Sequence, residues 1–306
     1  MTERPSAAWA PPGPVESVYA GRGLSAPAEP MQTRTTAERA SPPSGENEGA
    51  PLVSVVLPTY NEREALPPLL RALGEVLSRR PFRSEIVVVD DDSPDGTAEA
   101  ARSTPLPVPL TVRVRKGERG LASAILLGLG EARGRVAVVM DADGSHPVET
   151  VLPLVRAVVE DGAEMALASR YMSGGETRDW PLGRQLISHG ATFLARPLTS
   201  ARDPMTGFFA LDRAILSRSP LDPVGYKLAL EILVRARPSP IKEVPFVFTE
   251  RSAGRSKMGA REVVRYLRHL GRLYRFRIFT RGPSGSGPGG PGGASRRPNE
   301  RLDPQG

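Results

Sequence analysis

Short apolar runs alternate with longer amphipathic stretches through the middle of this chain. Leu52–Leu57 is aliphatic apart from Ser54, is ended by Pro58, and reads as a first strand. Glu62–Ser78 then carries helical periodicity, with Asn61 placed as N-cap and Pro67 and Pro68 confined to the first turns. The pattern goes on with a strand at Glu85–Val89, a short helix at Thr97–Ser103, a strand at Val108–Val114 and a helix at Leu121–Ala132 entered through Arg119-Gly120. A strand at Val136–Met140, a helix at Val148–Glu160, a strand at Met165–Ala168 and a helix at Gln185–Leu198 complete the series. The strand runs are apolar on both faces, as in parallel sheets covered by helices. The expected fold is therefore α/β: one doubly wound, mostly parallel sheet with helices on both faces and no internal repeat.

Composition changes this picture only at the ends. Residues 1–50 are rich in Pro, Ala, Ser, Gly and Glu, and residues 282–306 are a Gly/Pro/Ser/Arg tail. Neither buries enough apolar surface to offset chain entropy, so both are expected to be disordered. The folded unit is expected between them. There is no cysteine, which excludes disulfides and thiolate metal sites, and His146, His189 and His269 are too scattered for a zinc site. No apolar run approaches the roughly 18 residues of a membrane span, and no signal-peptide pattern opens the chain. The expectation is a cytoplasmic protein that touches a membrane surface without crossing it.

Charge is concentrated near the C-terminus. Arg251, Arg255, Lys257, Arg261, Arg265, Arg268, Arg272, Arg275, Arg277 and Arg281 face one acid, Glu262, a local +9 in a chain of net charge +7. Within Arg261–Phe279 the arginines Arg261, Arg265, Arg268, Arg272 and Arg275 recur at three- and four-residue steps. Val263, Val264, Leu267, Leu270, Leu273 and Tyr274 form a second stripe, with Tyr266, Phe276 and Phe279 near it. A basic amphipathic helix of this kind suits an anionic membrane surface. Leu186, Ile187, Phe193 and Leu194 suggest a second, weaker contact. Nucleic acid is the other anionic partner to consider, and the scarcity of aromatics counts against it.

Two strands run into acidic clusters. Asp141-Ala142-Asp143 follows the fourth strand, at the carboxyl end, where open α/β sheets bind ligands. Two carboxylates one residue apart offer oxygens to a hard divalent cation that keeps open positions for diphosphate oxygens. Asp90-Asp91-Asp92 follows the second strand, and neighbouring carboxylates repel unless cations or donors lie between them. Ser93-Pro94-Asp95-Gly96, taken alone, reads as a turn.

These residues resemble the dolichol-phosphate mannosyltransferases, or polyprenol-phosphate mannose synthases, inverting glycosyltransferases of family 2. The resemblance rests on Pro58-Thr59-Tyr60-Asn61-Glu62, on Asp90 through Thr97 and on Asp141-Ala142-Asp143. It extends to Ser169-Arg170-Tyr171, Asp203 through Phe209, Gly225-Tyr226-Lys227 with Leu230 through Leu233, and Arg251 through Lys257. It covers residues 52–260 and implies a single catalytic domain of GT-A type (Rossmann-like) over 51–260, followed by the basic helix at 261–281.

The resemblance also implies roles. Pro58, Tyr60 and Glu62 would line a guanosine pocket, with Val89 and Asp91 on base and ribose. Asp141, Ala142 and Asp143 would hold the ribose–diphosphate segment. Asp143 would be the principal ligand of Mg2+ or Mn2+, with Asp141 beside it, and Ser145 would add an oxygen. Arg170, Arg251 and Lys257 would contact phosphates, with Arg251–Lys257 forming a lid, and Asp203 would help place acceptor or sugar. Gly144 departs from the leucine usual after the triplet. Many microbial relatives continue into transmembrane helices, so membrane capture here would come from the basic helix or from a separate membrane-anchoring protein.

The implied reaction is attack by a polyprenyl or dolichyl monophosphate on the anomeric carbon of GDP-mannose, with inversion. A phosphate monoester has its second pKa near 6 and is already an anionic nucleophile at neutral pH, so no strong general base is required. Three other readings remain open: UDP-glucose as donor to the same lipid, a catalytically silent membrane-binding partner, and a nucleotidyltransferase. The last would want a Gly-rich basic loop where Pro58–Glu62 stands.

Overall fold

In the computed structural model, residues 52–80, 82–177, 182–222, 225, 227–248 and 260–280 are described. The expected strands form as β1 (Val53–Thr59), β2 (Ser84–Asp90), β3 (Leu110–Val114), β4 (Val136–Val139) and β5 (Met165–Ser169). The later strands are β6 (Glu176–Thr177), β7 (Phe209–Asp212), β8 (Ile241–Pro245) and β9 (Val247–Phe248). The helices are α1 (Leu66–Ser78), α2 (Thr97–Arg102), α3 (Leu121–Glu131), α4 (Val151–Val159), α5 (Leu182–Ala195), α6 (Leu228–Arg235) and α7 (Ala260–Phe279). Two expected helices change character at one end. Val148–Thr150 is a 3-10 turn ahead of α4, and Arg196–Leu198 is one after α5, where Pro197 removes a backbone donor.

The main sheet has seven strands in the order β3-β2-β1-β4-β7-β5-β8. Every residue of β1, β2, β4 and β5 is buried, because apolar layers cover both faces. Leu66, Leu70 and Leu73 of α1 and Val151, Leu154 and Val155 of α4 cluster with Val55, Leu57, Val88 and Val138. Ile125 and Leu129 of α3 and Ile232 and Leu233 of α6 cluster with Val56, Val87, Val89 and Val139 on the opposite face. Strand residues of alternating parity thus feed opposite layers, which is why the runs carry no polar face.

β7 is antiparallel to both its neighbours, β4 and β5, pairing Val139 with Phe209 and Leu167 with Phe209. Its entry therefore lies beside the carboxyl ends of β4 and β5. That reversal brings the segment carrying Asp203 and Gly207 to the edge where Asp141–Asp143 leaves the sheet.

α3 lies unusually close to the sheet. A Cβ at Gly128 would stand 2.4 Å from Val56 Cγ1 and 3.1 Å from Val89 Cγ2. Both neighbours are β-branched and held in a covered sheet, so neither yields cheaply. Gly128→Ala is expected to cost about 1–3 kcal/mol by overpacking, against which better helix propensity returns at most about 1 kcal/mol. Urea denaturation measures the difference.

α7 does not present its whole apolar stripe outward. Tyr266, Leu270 and Leu273 are buried against Met205, Leu230 and Val234, and Phe276 packs at the edge of that cluster. The Tyr266 hydroxyl donates to Ala191 O at 2.7 Å and the Tyr274 hydroxyl to Leu194 O at 2.8 Å, so α5 is the neighbour of α7. His269 Nε2 meets Glu231 Oε2 at 2.6 Å in a buried pair that ties α7 to α6. Val263, Val264, Leu267, Ile278 and Phe279 remain exposed, as do Ile187, Phe193 and Leu194 of α5. The stripe expected to face one surface is thus divided between a protein contact and solvent.

Candidate active site

Asp141 is the second residue past β4, with its side chain partly exposed, and Ala142 is buried beneath the turn. Asp143 Oδ1 accepts from the backbone N–H and the hydroxyl of Ser145, at 3.0 and 2.5 Å. Ser145 is 2% exposed. Its hydroxyl donates to Asp143 and fixes that carboxylate, which leaves the lone pairs of Oγ as the only part of it that could meet a cation. Gly144 has φ +76°, a left-handed conformation that glycine adopts without strain, which accounts for the departure from leucine at that position. Gly207 lies alongside: a Cβ there would come within 3.3 Å of Asp141 Oδ2.

Pro58, Tyr60 and Glu62 sit where expected, at the carboxyl end of β1, but the loop is built differently. Asn61 has φ +60° and is no N-cap, and α1 starts four residues later than Glu62, at Leu66. The reason lies in the neighbouring loop. The backbone N–H groups of Asn61, Glu62 and Arg63 donate to Ser93 Oγ, Thr97 Oγ1 and Asp95 Oδ2, at 2.9, 2.9 and 3.2 Å. Ser93–Gly96 is a turn, as expected, and the side chains of Ser93, Asp95 and Thr97 fasten the β1–α1 loop to β2–α2. Hydrogen bonds from Thr97 and from backbone N–H groups hold the Asp95 carboxyl below its ordinary range, although burial alone would raise it. Arg119 lies over the Tyr60 ring, 4.6 Å from its centroid.

The Asp90–Asp92 cluster is answered within the protein. Asp90 is buried and accepts from the Thr59 hydroxyl and from the Ser93 backbone and hydroxyl. Asp91 is also buried, with Oδ1 bound by Nε and Nη2 of Arg115 and Oδ2 by the Gly120 N–H at 2.8 Å. Only Asp92 is exposed. A base or ribose binding Asp91 would share that carboxylate with Arg115. The Val89 side chain is wholly buried under α3.

Arg170 and Asp203 form a buried ion pair. The Arg170 backbone N–H, Nε and Nη2 donate to the Asp203 carboxylate at 3.1, 2.7 and 2.8 Å, and Asp203 is completely buried. Glu243 Oε1 accepts the N–H groups of Arg202 and Asp203, which holds the loop. Burial alone would lower the Arg170 pKa. The hydrogen bonds and charge of Asp203, with smaller effects of Tyr171 and Asp141, raise it above the ordinary arginine value. Asp203 thus positions Arg170. Tyr171 lies 5.5 Å from the Arg170 guanidinium, and its hydroxyl shares a 2.9 Å hydrogen bond with Ser188 of α5.

The structure therefore gathers Asp141, Asp143, Ser145, Arg170 and Asp203 at one edge, with Tyr60, Glu62 and Asp91 beside β1 and β2. Arg251 and Lys257 lie outside the described residues, between β9 and α7. Arg115, Arg119, His146 and Gly207 had no role assigned from the sequence: Arg115, Arg119 and Gly207 reach the site through packing between distant segments, and His146 through the turn after β4. Among the described residues no group of three or more His, Cys, Asp or Glu is placed to hold a metal. Two hard carboxylates, one fixed by Ser145, fit an Mg2+ or Mn2+ ion that takes its remaining oxygens from a substrate.

A family model described as Glycosyl transferase family 2 matches residues 54–221. The chain belongs to glycosyl transferase family 2. The dolichol-phosphate mannosyltransferase of Pyrococcus furiosus is 42% identical to this family 2 protein over 228 residues, 73% of this chain and 64% of that protein. The chain thus spans just under two thirds of that relative's length. The dolichol-phosphate mannosyltransferase of Saccharomyces cerevisiae is 39% identical, covering 74% of this chain and 88% of that one. The polyprenol monophosphomannose synthase of Mycolicibacterium smegmatis is 40% identical, covering 68% and 82%. Among solved structures, mannosyl-3-phosphoglycerate synthase from Rubrobacter xylanophilus superposes with a TM-score of 0.57 at 22% identity, covering 76% of this chain and 77% of that one. Glucosyl-3-phosphoglycerate synthase from Mycobacterium tuberculosis, solved with Mn2+ and UDP-glucose, gives 0.54 at 19% identity, covering 76% and 81%. At such identities these two establish the fold, which is the α/β architecture read from the sequence.

Proposed function

We propose that this family 2 protein transfers mannose from GDP-mannose to a polyprenyl or dolichyl monophosphate, with inversion, at a membrane surface. The observation that carries the reading is the juxtaposition of the Asp141/Asp143 pair with the buried, permanently charged Arg170, in a chain about 40% identical to proteins named for this product.

Asp141 and Asp143 would hold Mg2+ or Mn2+, which when bound supplies positive charge to a diphosphate leaving group. Ser145 keeps the Asp143 carboxylate aimed before substrate arrives. Asp203 keeps the Arg170 guanidinium in a fixed plane, so its positive charge stands beside Asp141 before substrate arrives. Tyr60 and Glu62 line the nucleoside side of the site. The acceptor phosphate is its own nucleophile, so the arrangement needs cations and positioning rather than a base.

Membrane contact is supported by the neighbouring helices α5 and α7. Phe193 is 74% exposed, Val264 55% and Leu267 50%, beside the exposed Arg265 and Arg268. Among the described residues no helix is long and apolar enough to cross a membrane. Replacing Arg265 and Arg268 by alanine is expected to weaken binding to phosphatidylglycerol-containing vesicles by about 1 kcal/mol each, with little change on neutral vesicles. Phe193→Asp should weaken both. Vesicle co-sedimentation measures all three, and a charge-independent loss in the arginine variant would argue against this surface.

Nucleotide competition tests the donor. GDP-mannose should displace a fluorescent GDP analogue in the presence of Mn2+, and UDP-glucose should do so only weakly. Better displacement by UDP-glucose would overturn the donor assignment while leaving the family unchanged.

A further inference from the structure

His146 is buried five residues beyond Asp141, and its Nδ1 accepts the Asp141 backbone N–H at 3.0 Å. An accepting Nδ1 fixes the tautomer, leaving the ring proton on Nε2, which lies 3.9 Å from Asp141 Oδ2. The ring is held on several sides. Phe208 stacks on it at 4.8 Å and 16°, while Phe246 and Phe248 meet it edge-on at 5.8 and 6.0 Å. Those phenylalanines are not incidental neighbours. Phe208 ends the segment that holds Asp203, and Phe246 and Phe248 flank and end the β8–β9 stretch that leads toward Arg251.

A core histidine satisfied by aromatic packing alone would need none of the contact to Asp141. Here the Asp141 backbone is fixed by His146, and its carboxylate lies in the room left by Gly207, where a Cβ would stand 3.3 and 3.4 Å from the two oxygens. His146 has its Nδ1 lone pair committed to the backbone, so it is no metal ligand through that atom. We propose that His146 is a positioning residue for the divalent-cation site: it fixes the Asp141 backbone, and through it the carboxylate, relative to Asp143. This rests on the reading of Asp141 and Asp143 as cation ligands. Groups that orient metal ligands without touching the metal typically contribute 10–100-fold to metal affinity or activity.

Two variants separate positioning from packing. His146→Phe keeps the aromatic volume and removes the acceptor, and His146→Asn keeps an acceptor at the δ position and loses the ring. Free Mn2+ is titrated by electron paramagnetic resonance with the full chain and GDP, and each variant is melted in parallel without metal. If His146 positions Asp141, His146→Phe melts closer to the parent but binds Mn2+ about tenfold more weakly. His146→Asn melts lower yet binds Mn2+ more tightly than His146→Phe. The same order in both measurements, or parent-like Mn2+ affinity in His146→Phe, overturns the inference alone. Absence of Mn2+ binding by the parent chain with GDP overturns the cation reading and this inference with it.

Discussion

Asp143→Asn is expected to lower transfer by about a thousandfold, about 4 kcal/mol of transition-state stabilisation, while the protein keeps its fold. Asparagine preserves an oxygen at the position that accepts the Ser145 N–H and hydroxyl, so the turn through Gly144 survives. What it loses is the charge that a hard cation requires. The loss should appear equally in Mn2+-dependent GDP binding, and the melting curve of the metal-free protein should hardly move. Asp143→Ala should be as inactive and somewhat less stable, since it also strips the partner from the Ser145 hydroxyl. If Asp143→Asn kept parent-like Mn2+ binding, the ion would have to sit elsewhere.

Asp203→Ala should be the most destabilising single change at the site. It leaves the Arg170 guanidinium buried without its counter-charge, a situation that typically costs 3–5 kcal/mol. For a domain of this size that corresponds to a fall in melting temperature of about 10 °C. Replacing both partners by apolar residues of similar volume removes the stranded charge. The double variant Arg170→Met/Asp203→Leu should therefore recover most of the stability, as buried pairs replaced whole often do. It should not recover transfer, because the positive charge beside Asp141 is gone. Thermal melts and activity thus come apart in the double variant. Recovery of both would mean that Arg170 serves the fold alone.

The alternation of strands and helices was legible because buried parallel strands are continuous apolar runs, and β1, β2, β4 and β5 are covered on both faces. The acidic triplet was legible for the same reason, since the end of β4 places it without further information. The four-residue β7 was not, and no local pattern shows that Phe209 pairs backwards between β4 and β5. The reversal is what puts Asp203 and Gly207 beside the triplet. Asp90–Asp92 looked like uncompensated charge because the compensating group, Arg115, lies 24 residues from Asp91. Asn61 looked like a helix cap because Ser93, Asp95 and Thr97, whose side chains accept the loop N–H groups of Asn61, Glu62 and Arg63 and hold that stretch out of the helix, lie more than thirty residues away. The division of the α7 face was not legible because its apolar arc is wide enough for both a protein contact and an exposed surface. Periodicity gives the arc and not what covers it.

The most direct test is transfer of labelled mannose from GDP-mannose to polyprenyl phosphate in detergent, with Mg2+ or Mn2+, alongside Asp143→Asn. The expected result is an acid-labile lipid-linked mannose that depends on the cation and is lost in the variant. No lipid product from GDP-mannose by the folded, cation-loaded protein would contradict it.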